Sequence, residues 1–310
     1  MPCTSPLQAF KHPFYGIVFS FNPLDWNFNY DQSLKLYGLQ LACGQCTYCR
    51  LKRSSEWAVR CMHEASLHKE NCFLTLTYNN DHLPEHGNLV KRDAQLFLKR
   101  FRKKLDDQLI RYYYCGEYGD KLGRPHFHFL IFGYDFPDKV FYSLNRGKDK
   151  LYNSPMLDKL WGKGFAVIAA LTFQTAAYVA RYVMKKRTGK HAGKHYERID
   201  KETGEIIFLT PEYNDMSRRP GIAHDWFKKF SDDCYPHDFL VFNGRKMKPP
   251  KYYDSMYELI APLSFATVKA DRILAVLANA HDNTPERLAV KARVVELQAK
   301  MLVRHIHSDC

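Results

Sequence analysis

The run from Ile110 to Gly133, IRYYYCGEYGDKLGRPHFHFLIFG, constrains this chain more than any other segment. Two Tyr- and Phe-rich stretches flank GDKLGRP, whose glycines and proline make a turn. The segment predicts a β-hairpin, and a hairpin commits the chain to an antiparallel sheet. Side chains alternate faces along a strand, so His126 and His128 point the same way while Phe127, Phe129 and Ile131 fill the other face as core. Pairing across the turn brings Glu117 opposite His126. Two neutral imidazoles on one face supply half of a divalent-metal site, and a carboxylate beside them leaves positions on the metal for a substrate oxygen. Residue chemistry alone leaves a second reading open, in which the histidines are packed in the sheet and the glutamate faces solvent.

The neighbouring segments supply elements for such a sheet. NCFLTLTYNN predicts a strand that ends at Asn79 and Asn80. LVKRDAQLFLKRFRKKL is an amphipathic helix with Val90, Ala94, Phe97, Leu98, Phe101 and Leu105 as its apolar stripe. Its basic cluster, Lys99, Arg100, Arg102, Lys103 and Lys104, is either a solvated face or a phosphate contact. GFAVIAAL is a further strand, and TFQTAAYVARYVMKKRTGK a helix that Thr172 caps and Gly189 ends. The order from Cys72 to Arg187 is β-α-β-β-β-α, which predicts an α+β fold, an antiparallel sheet with packed helices.

Residues 1–42 read as irregular and aromatic, and a basic helix carrying Arg50, Lys52, Arg53 and Arg60 starts at Thr47. YERIDKETGEIIF predicts a hairpin around Lys201–Gly204, MSRRPGIAHDWFKKF a basic loop that turns helical, and GRKMKPPKYYD a surface loop. Thr284-Pro285-Glu286 opens a C-terminal helix. The chain thus divides into a Cys-containing segment with the basic helix (1–70), a core (71–190) and an extension with basic loops and a terminal helix (191–310).

Lys and Arg number 46 against 33 Asp and Glu, a formal net charge of +13 over 310 residues. That balance favours a polyanionic partner, nucleic acid first. A hydrophobic content of 45% excludes a disordered tail. No stretch approaches the ~20 apolar residues of a membrane span, and MPCTSPLQAFKHPFYG lacks a signal-peptide core. The expectation is a soluble intracellular protein with no membrane partner and no small-molecule organic cofactor. Nine cysteines in a reducing compartment point to metal binding or buried thiols before disulfides. Cys43, Cys46 and Cys49 have C-x2-C-x2-C spacing; three thiolates approach a structural Zn2+ site, and Cys3 is an available fourth ligand. The competing reading is a set of helix-start thiols, with Cys61 and Cys72 simply buried.

YVARYVMKK places Tyr178 and Tyr182 four apart, on one helix face about 6 Å apart along the axis. Lys185 and Lys186 follow within one turn of Tyr182. A tyrosyl oxygen can attack a phosphodiester and hold the cut end covalently. A nearby cation stabilises the phenolate and the charge building on phosphorus. Core aromatics share the same spacing.

FLTLT (Phe73–Thr77), PHFHF (Pro125–Phe129) and YVARYVMKK (Tyr178–Lys186) occur in the order of the three motifs of HUH-superfamily rolling-circle replication initiators, and the chain resembles their two-tyrosine branch. The longer strings CGQC, EWAVRCMHEA, CGEYGDKLGRPH, AAYVARYVMKK, MSRRPGI and YPHD are similar to gokushovirus-type microvirus initiators, a likeness reaching from about Cys43 to Tyr253. The resemblance implies a ferredoxin-like HUH endonuclease core with N- and C-terminal extensions. It also implies that His126 and His128 are metal ligands with Glu117 as the third, that Tyr178 and Tyr182 are nucleophiles beside Lys185 and Lys186, and that Mg2+ or Mn2+ is the cofactor. The implied activity is a site-specific single-stranded DNA endonuclease and strand transferase. It starts and ends rolling-circle replication of a small phage genome through a 5′-phosphotyrosyl intermediate. The implied partners are single-stranded DNA with a replication origin and, since the chain has no G-x-x-x-x-G-K-[ST] loop, a host helicase, together with a host polymerase, in the cytoplasm of a bacterial host. A transposase or relaxase of the same superfamily is the nearest alternative. A non-catalytic zinc-containing DNA-binding protein would account for the charge and cysteines but not for the Glu, His and Tyr residues. A histidine-triad nucleotide hydrolase would need a third alternating histidine where the chain has Leu130.

Overall fold

The computed structural model describes residues 3–12, 16–19, 38–119, 122–145, 147–181, 192–200, 203–242 and 244–302. Two compact units share the chain, one formed by Met1–Lys52 with Asp271–Leu302 and the other centred on Arg53–Ala270. In the first, β1 (Leu7–His12) pairs antiparallel with both β2 (Gly16–Val18) and β3 (Gly38–Leu41). The aromatic N-terminal segment read as irregular therefore contains three short strands. Their brevity leaves too few residues for an alternating pattern to stand out. Helix α1 (Thr47–Ala65) follows, as its basic, periodic sequence predicts.

The second unit is built on a seven-stranded antiparallel sheet. Its elements are β4 (Asn71–Thr77), α2 (Lys91–Leu105), β5 (Arg111–Tyr118), β6 (Pro125–Phe132), β7 (Val140–Leu144), β8 (Lys150–Asn153), α3 (Pro155–Trp161), β9 (Ala166–Ala170) and α4 (Phe173–Arg181). After the short helix α5 (Ala192–Tyr196) and the hairpin β10–β11 (Glu197–Ile199, Ile206–Phe208), β12 (Tyr213–Met216) joins one edge. The sheet order is β12-β5-β6-β4-β9-β8-β7. Chain order β4-α2-β5-β6-α3-β9 with spatial order β5-β6-β4-β9 is the ferredoxin-like βαββαβ arrangement, so the α+β expectation holds. The order read from sequence between Cys72 and Arg187 lacks β7, β8 and α3, and β12 lies beyond it. Strand β7 is largely exposed and shows no burial alternation. Helix α3 has only seven residues, too few for a 3.6-residue period, and is set instead by Ser154 accepting the Leu157 N–H and by a proline in its first turn.

Both faces of the sheet are covered. On one, Leu74, Leu76, Phe127, Phe129 and Ile131 pack against Phe97 and Phe101 of α2 and against Leu157 and Trp161 of α3. This is the core face that the hairpin alternation predicts. On the other, Phe73, Tyr113, Leu130 and Phe132 pack against Ala58 and Val59 of α1 and Ala176 and Val179 of α4. The histidines thus share a face with a second core instead of open solvent. Full burial of a Phe side chain is worth about 2–3 kcal/mol, so β6, buried at every position except His126, is the most strongly fixed strand of the unit.

Among the described residues the remaining α-helices are α6 (His224–Phe230), α7 (Lys251–Ile260), α8 (Pro262–Ala278) and α9 (Pro285–Met301), with a small hairpin, β13–β14 (Leu240–Phe242, Arg245–Met247), before α7. GRKMKPPKYYD is therefore not a loop throughout: it contributes β14 and opens α7. Thr284 caps α9, its side chain accepting the Arg287 N–H. Among the described residues no helix is long and apolar enough to cross a membrane.

Candidate active site

Strand register assembles the site. Antiparallel pairing sets Glu117 of β5 opposite His126 of β6, and sets Thr75 of β4 opposite His128. The carboxylate comes from one neighbouring strand and a hydroxyl from the other. Glu117 Oε1 lies 2.9 Å from His126 Nε2 and 2.9 Å from His128 Nε2. These three potential ligand atoms all fall within 4.8 Å of one another.

The far side of each ring is also engaged. His126 Nδ1–H donates to the Arg124 carbonyl at 3.0 Å, which leaves Nε2 as the inward-facing nitrogen. His128 Nδ1 lies 3.0 Å from Thr75 Oγ1. Partners of this kind on the outer nitrogen fix ring orientation and tautomer in metal-binding histidines. Neither partner is legible in the sequence; Thr75 sits inside FLTLT, but only the β4–β6 register brings it to His128.

Glu117 and His128 are buried, while the His126 side chain retains 15% exposure, so the cluster opens to solvent on the His126 side. Burial alone would push the Glu117 carboxyl up. The two imidazoles outweigh it through charge and hydrogen bonds and hold the group well below the usual carboxylate range. A buried carboxylate with two inward nitrogens is a donor set of the kind that holds a cation. The N,N,O composition suits a divalent metal.

Helix α4 covers this cluster. Thr172 and Thr175 cap its start reciprocally: Thr175 N–H donates to Thr172 Oγ1 and Thr172 N–H to Thr175 Oγ1, at 3.2 and 2.8 Å. The Ser54 hydroxyl donates to the Ala177 carbonyl and ties the helix to α1. Buried Tyr178 stands edge-on to His128, ring centroids 5.3 Å apart. Phe73 stacks on the same imidazole at 5.7 Å. Tyr182, Lys185, Lys186 and the terminating Gly189 lie outside the described residues.

Of the basic cluster on α2, Arg100 serves the fold: it donates to the carbonyls of Leu160 and Trp161 at the end of α3. In the other unit, Cys3, Cys43, Cys46 and Cys49 come together, their sulfur atoms within 4.8 Å of one another.

Residues 71–187, which begin at β4 and contain the whole Glu-His-His cluster, match the family described as replication-associated protein ORF2/G2P. The chain is 30% identical over 267 residues to Replication-associated protein VP4 of Bdellovibrio phage phiMH2K, covering 83% of this chain and 78% of that protein. It is 30% identical over 280 residues to Replication-associated protein ORF2 of Spiroplasma virus 4, covering 83% and 81%. With Replication-associated protein ORF4 of Chlamydia phage 1 it shares 38% identity over 234 residues, 72% of this chain and 55% of that protein. The chain belongs to this family of phage replication-associated proteins, which bears out the resemblance to microvirus-type rolling-circle initiators. No solved structure matches it significantly.

Proposed function

We propose that this protein nicks and rejoins single-stranded DNA at a replication origin, beginning and ending rolling-circle replication of a small phage genome. The observation that carries this reading is the convergence of Glu117, His126 and His128 beneath Tyr178. On this reading residues 71–190 are the endonuclease core, flanked by extensions at 1–70 and 191–310. Glu117, His126 and His128 would hold Mn2+ or Mg2+, with the two imidazoles favouring Mn2+. A divalent ion bound there supplies positive charge that polarises the scissile phosphate.

The chain's own groups do the rest. The hydroxyl of Tyr178 or Tyr182 gives up its proton and its oxygen bonds to phosphorus. The P–O3′ bond breaks, and the departing oxygen takes up a proton as a free 3′-hydroxyl. The 5′ end stays on the tyrosine as a phosphodiester. Lys185 or Lys186 stabilises the attacking phenolate. After a round of synthesis the second tyrosine attacks the regenerated origin, and the newly freed 3′-hydroxyl attacks the first phosphotyrosine to close the circle. Unwinding and synthesis fall to a host helicase and polymerase in the bacterial cytoplasm.

The test is incubation of circular phage-type single-stranded DNA with the protein and Mn2+. The wild type should form a covalent adduct that EDTA prevents. The Tyr178→Phe/Tyr182→Phe double variant should bind DNA and form no adduct. Peptide mapping that placed the DNA on neither tyrosine would overturn the mechanism, and full nicking by His126→Ala/His128→Ala would overturn the metal site.

A further inference from the structure

The four cysteines of the smaller unit have no part in that chemistry. We infer that Cys3, Cys43, Cys46 and Cys49 hold a structural zinc ion that staples the N-terminal segment to the start of α1.

The spacing of the sulfurs carries the argument. Cys3 Sγ lies 3.5 Å from Cys43 Sγ and 3.8 Å from Cys46 Sγ, and all four sulfurs fall within 4.8 Å of one another. A disulfide would need about 2.05 Å. A tetrahedral zinc site with Zn–S bonds of about 2.3 Å has sulfur–sulfur edges of about 3.8 Å. The cluster therefore has the dimensions of a tetrathiolate cage and not of a bridge.

Backbone amides point at the sulfurs as they do at thiolates. The N–H groups of Gln45 and Cys46 approach Cys43 Sγ at 3.4 and 3.2 Å, and the Cys43 N–H approaches Cys3 Sγ at 3.3 Å. Gly44 makes this turn possible, with φ at 71°, in the left-handed region.

The segment also needs a staple. Among the described side chains of β1–β3 only Ala9 is buried, while Leu7 and Ile17 are exposed. Short strands with so little core among their described residues are held by metal or disulfides when they are ordered. A metal that joins Cys3 to Cys43 does this by closing the loop between them.

Elemental analysis of protein purified under reducing conditions should find about one zinc per chain. Mercurial titration of the thiols should release it, and Co2+ in its place should give the visible bands of a tetrahedral thiolate complex. Cys43→Ser/Cys46→Ser should lose the zinc, whereas His126→Ala/His128→Ala should keep it, which separates this site from the nicking centre. Wild-type protein with no zinc and four thiols open to maleimide would overturn the proposal, as would a Cys3–Cys43 disulfide in freshly purified reduced protein. If the serine variant fails to fold, zinc content and mercurial release in the wild type decide the question.

Discussion

On the proposed function, Thr75 is a residue outside the ligand set that positions one of its members. Its hydroxyl lies on the outer nitrogen of His128, and Thr75→Val keeps the branched shape that the strand favours while removing that partner. The expected result is a loss of about 10–100-fold in Mn2+ affinity, with nicking restored at high Mn2+; a loss of rate that no Mn2+ concentration recovers would refute the positioning role. His63 provides a pH test of the fold. It stacks on Trp226 with ring centroids 3.5 Å apart, and its Nδ1 lies 2.7 Å from the Tyr253 hydroxyl. Burial pulls its pKa down to about 4, from the usual ~6.5 in an unfolded chain. Between those values the unfolded state binds the extra proton, so stability falls as pH drops from about 6.5 to about 4, by about 3 kcal/mol at most. Denaturant melts across that window should show a smaller drop for His63→Phe than for the wild type.

At the scale of elements, close approaches are less forgiving than turns. Gly164, between α3 and β9, has a φ of 147°, and a Cβ there would meet Asn79 N at 2.3 Å and Thr77 O at 2.5 Å. Those atoms are backbone, tied by the Asn79 N–H donating to the Lys163 carbonyl and by paired hydrogen bonds between Thr77 and Phe165, and cannot move aside without breaking the end of β4. Gly164→Ala should cost about 3 kcal/mol or more. Gly204, in the β10–β11 turn, also has a positive φ, 74°, but faces open space. Gly204→Ala should cost only the left-handed backbone penalty, about 1–2 kcal/mol. Chemical denaturation of the two variants checks the difference, and equal costs would mean that the Thr77–Phe165 junction yields.

For the whole molecule, the proposed function assigns affinity for DNA to the +13 charge and cleavage to the buried cluster. Binding to single-stranded DNA should weaken by more than about tenfold between about 50 and 200 mM salt, because each neutralised phosphate releases counterions. The His126→Ala/His128→Ala variant should show the same salt slope with no nicking, as measured by fluorescence anisotropy without added metal. A flattened slope in that variant would mean that the cluster itself carries phosphate affinity.

The sequence by itself determined the hairpin, the shared face of His126 and His128, the pairing of Glu117 with His126, and the caps at Thr172 and Thr284. Each depends on a period of two, a turn or a cap, all properties of a few adjacent residues. Motif order also carried the family. Only the tertiary structure decided that β4 lies beside β6, so that Thr75 meets His128, that α4 carries Tyr178 over the same ring, and that Cys3 meets Cys43 across a separation of 40 residues. These pairings are non-local: the cost of closing such loops changes little with their length, and burial over both faces of the sheet selects among them. Strands β7, β8 and β12 escaped the sequence reading for the same reason, since short strands at or beside a sheet's edge owe their pairing to the sheet they join and not to a pattern of their own.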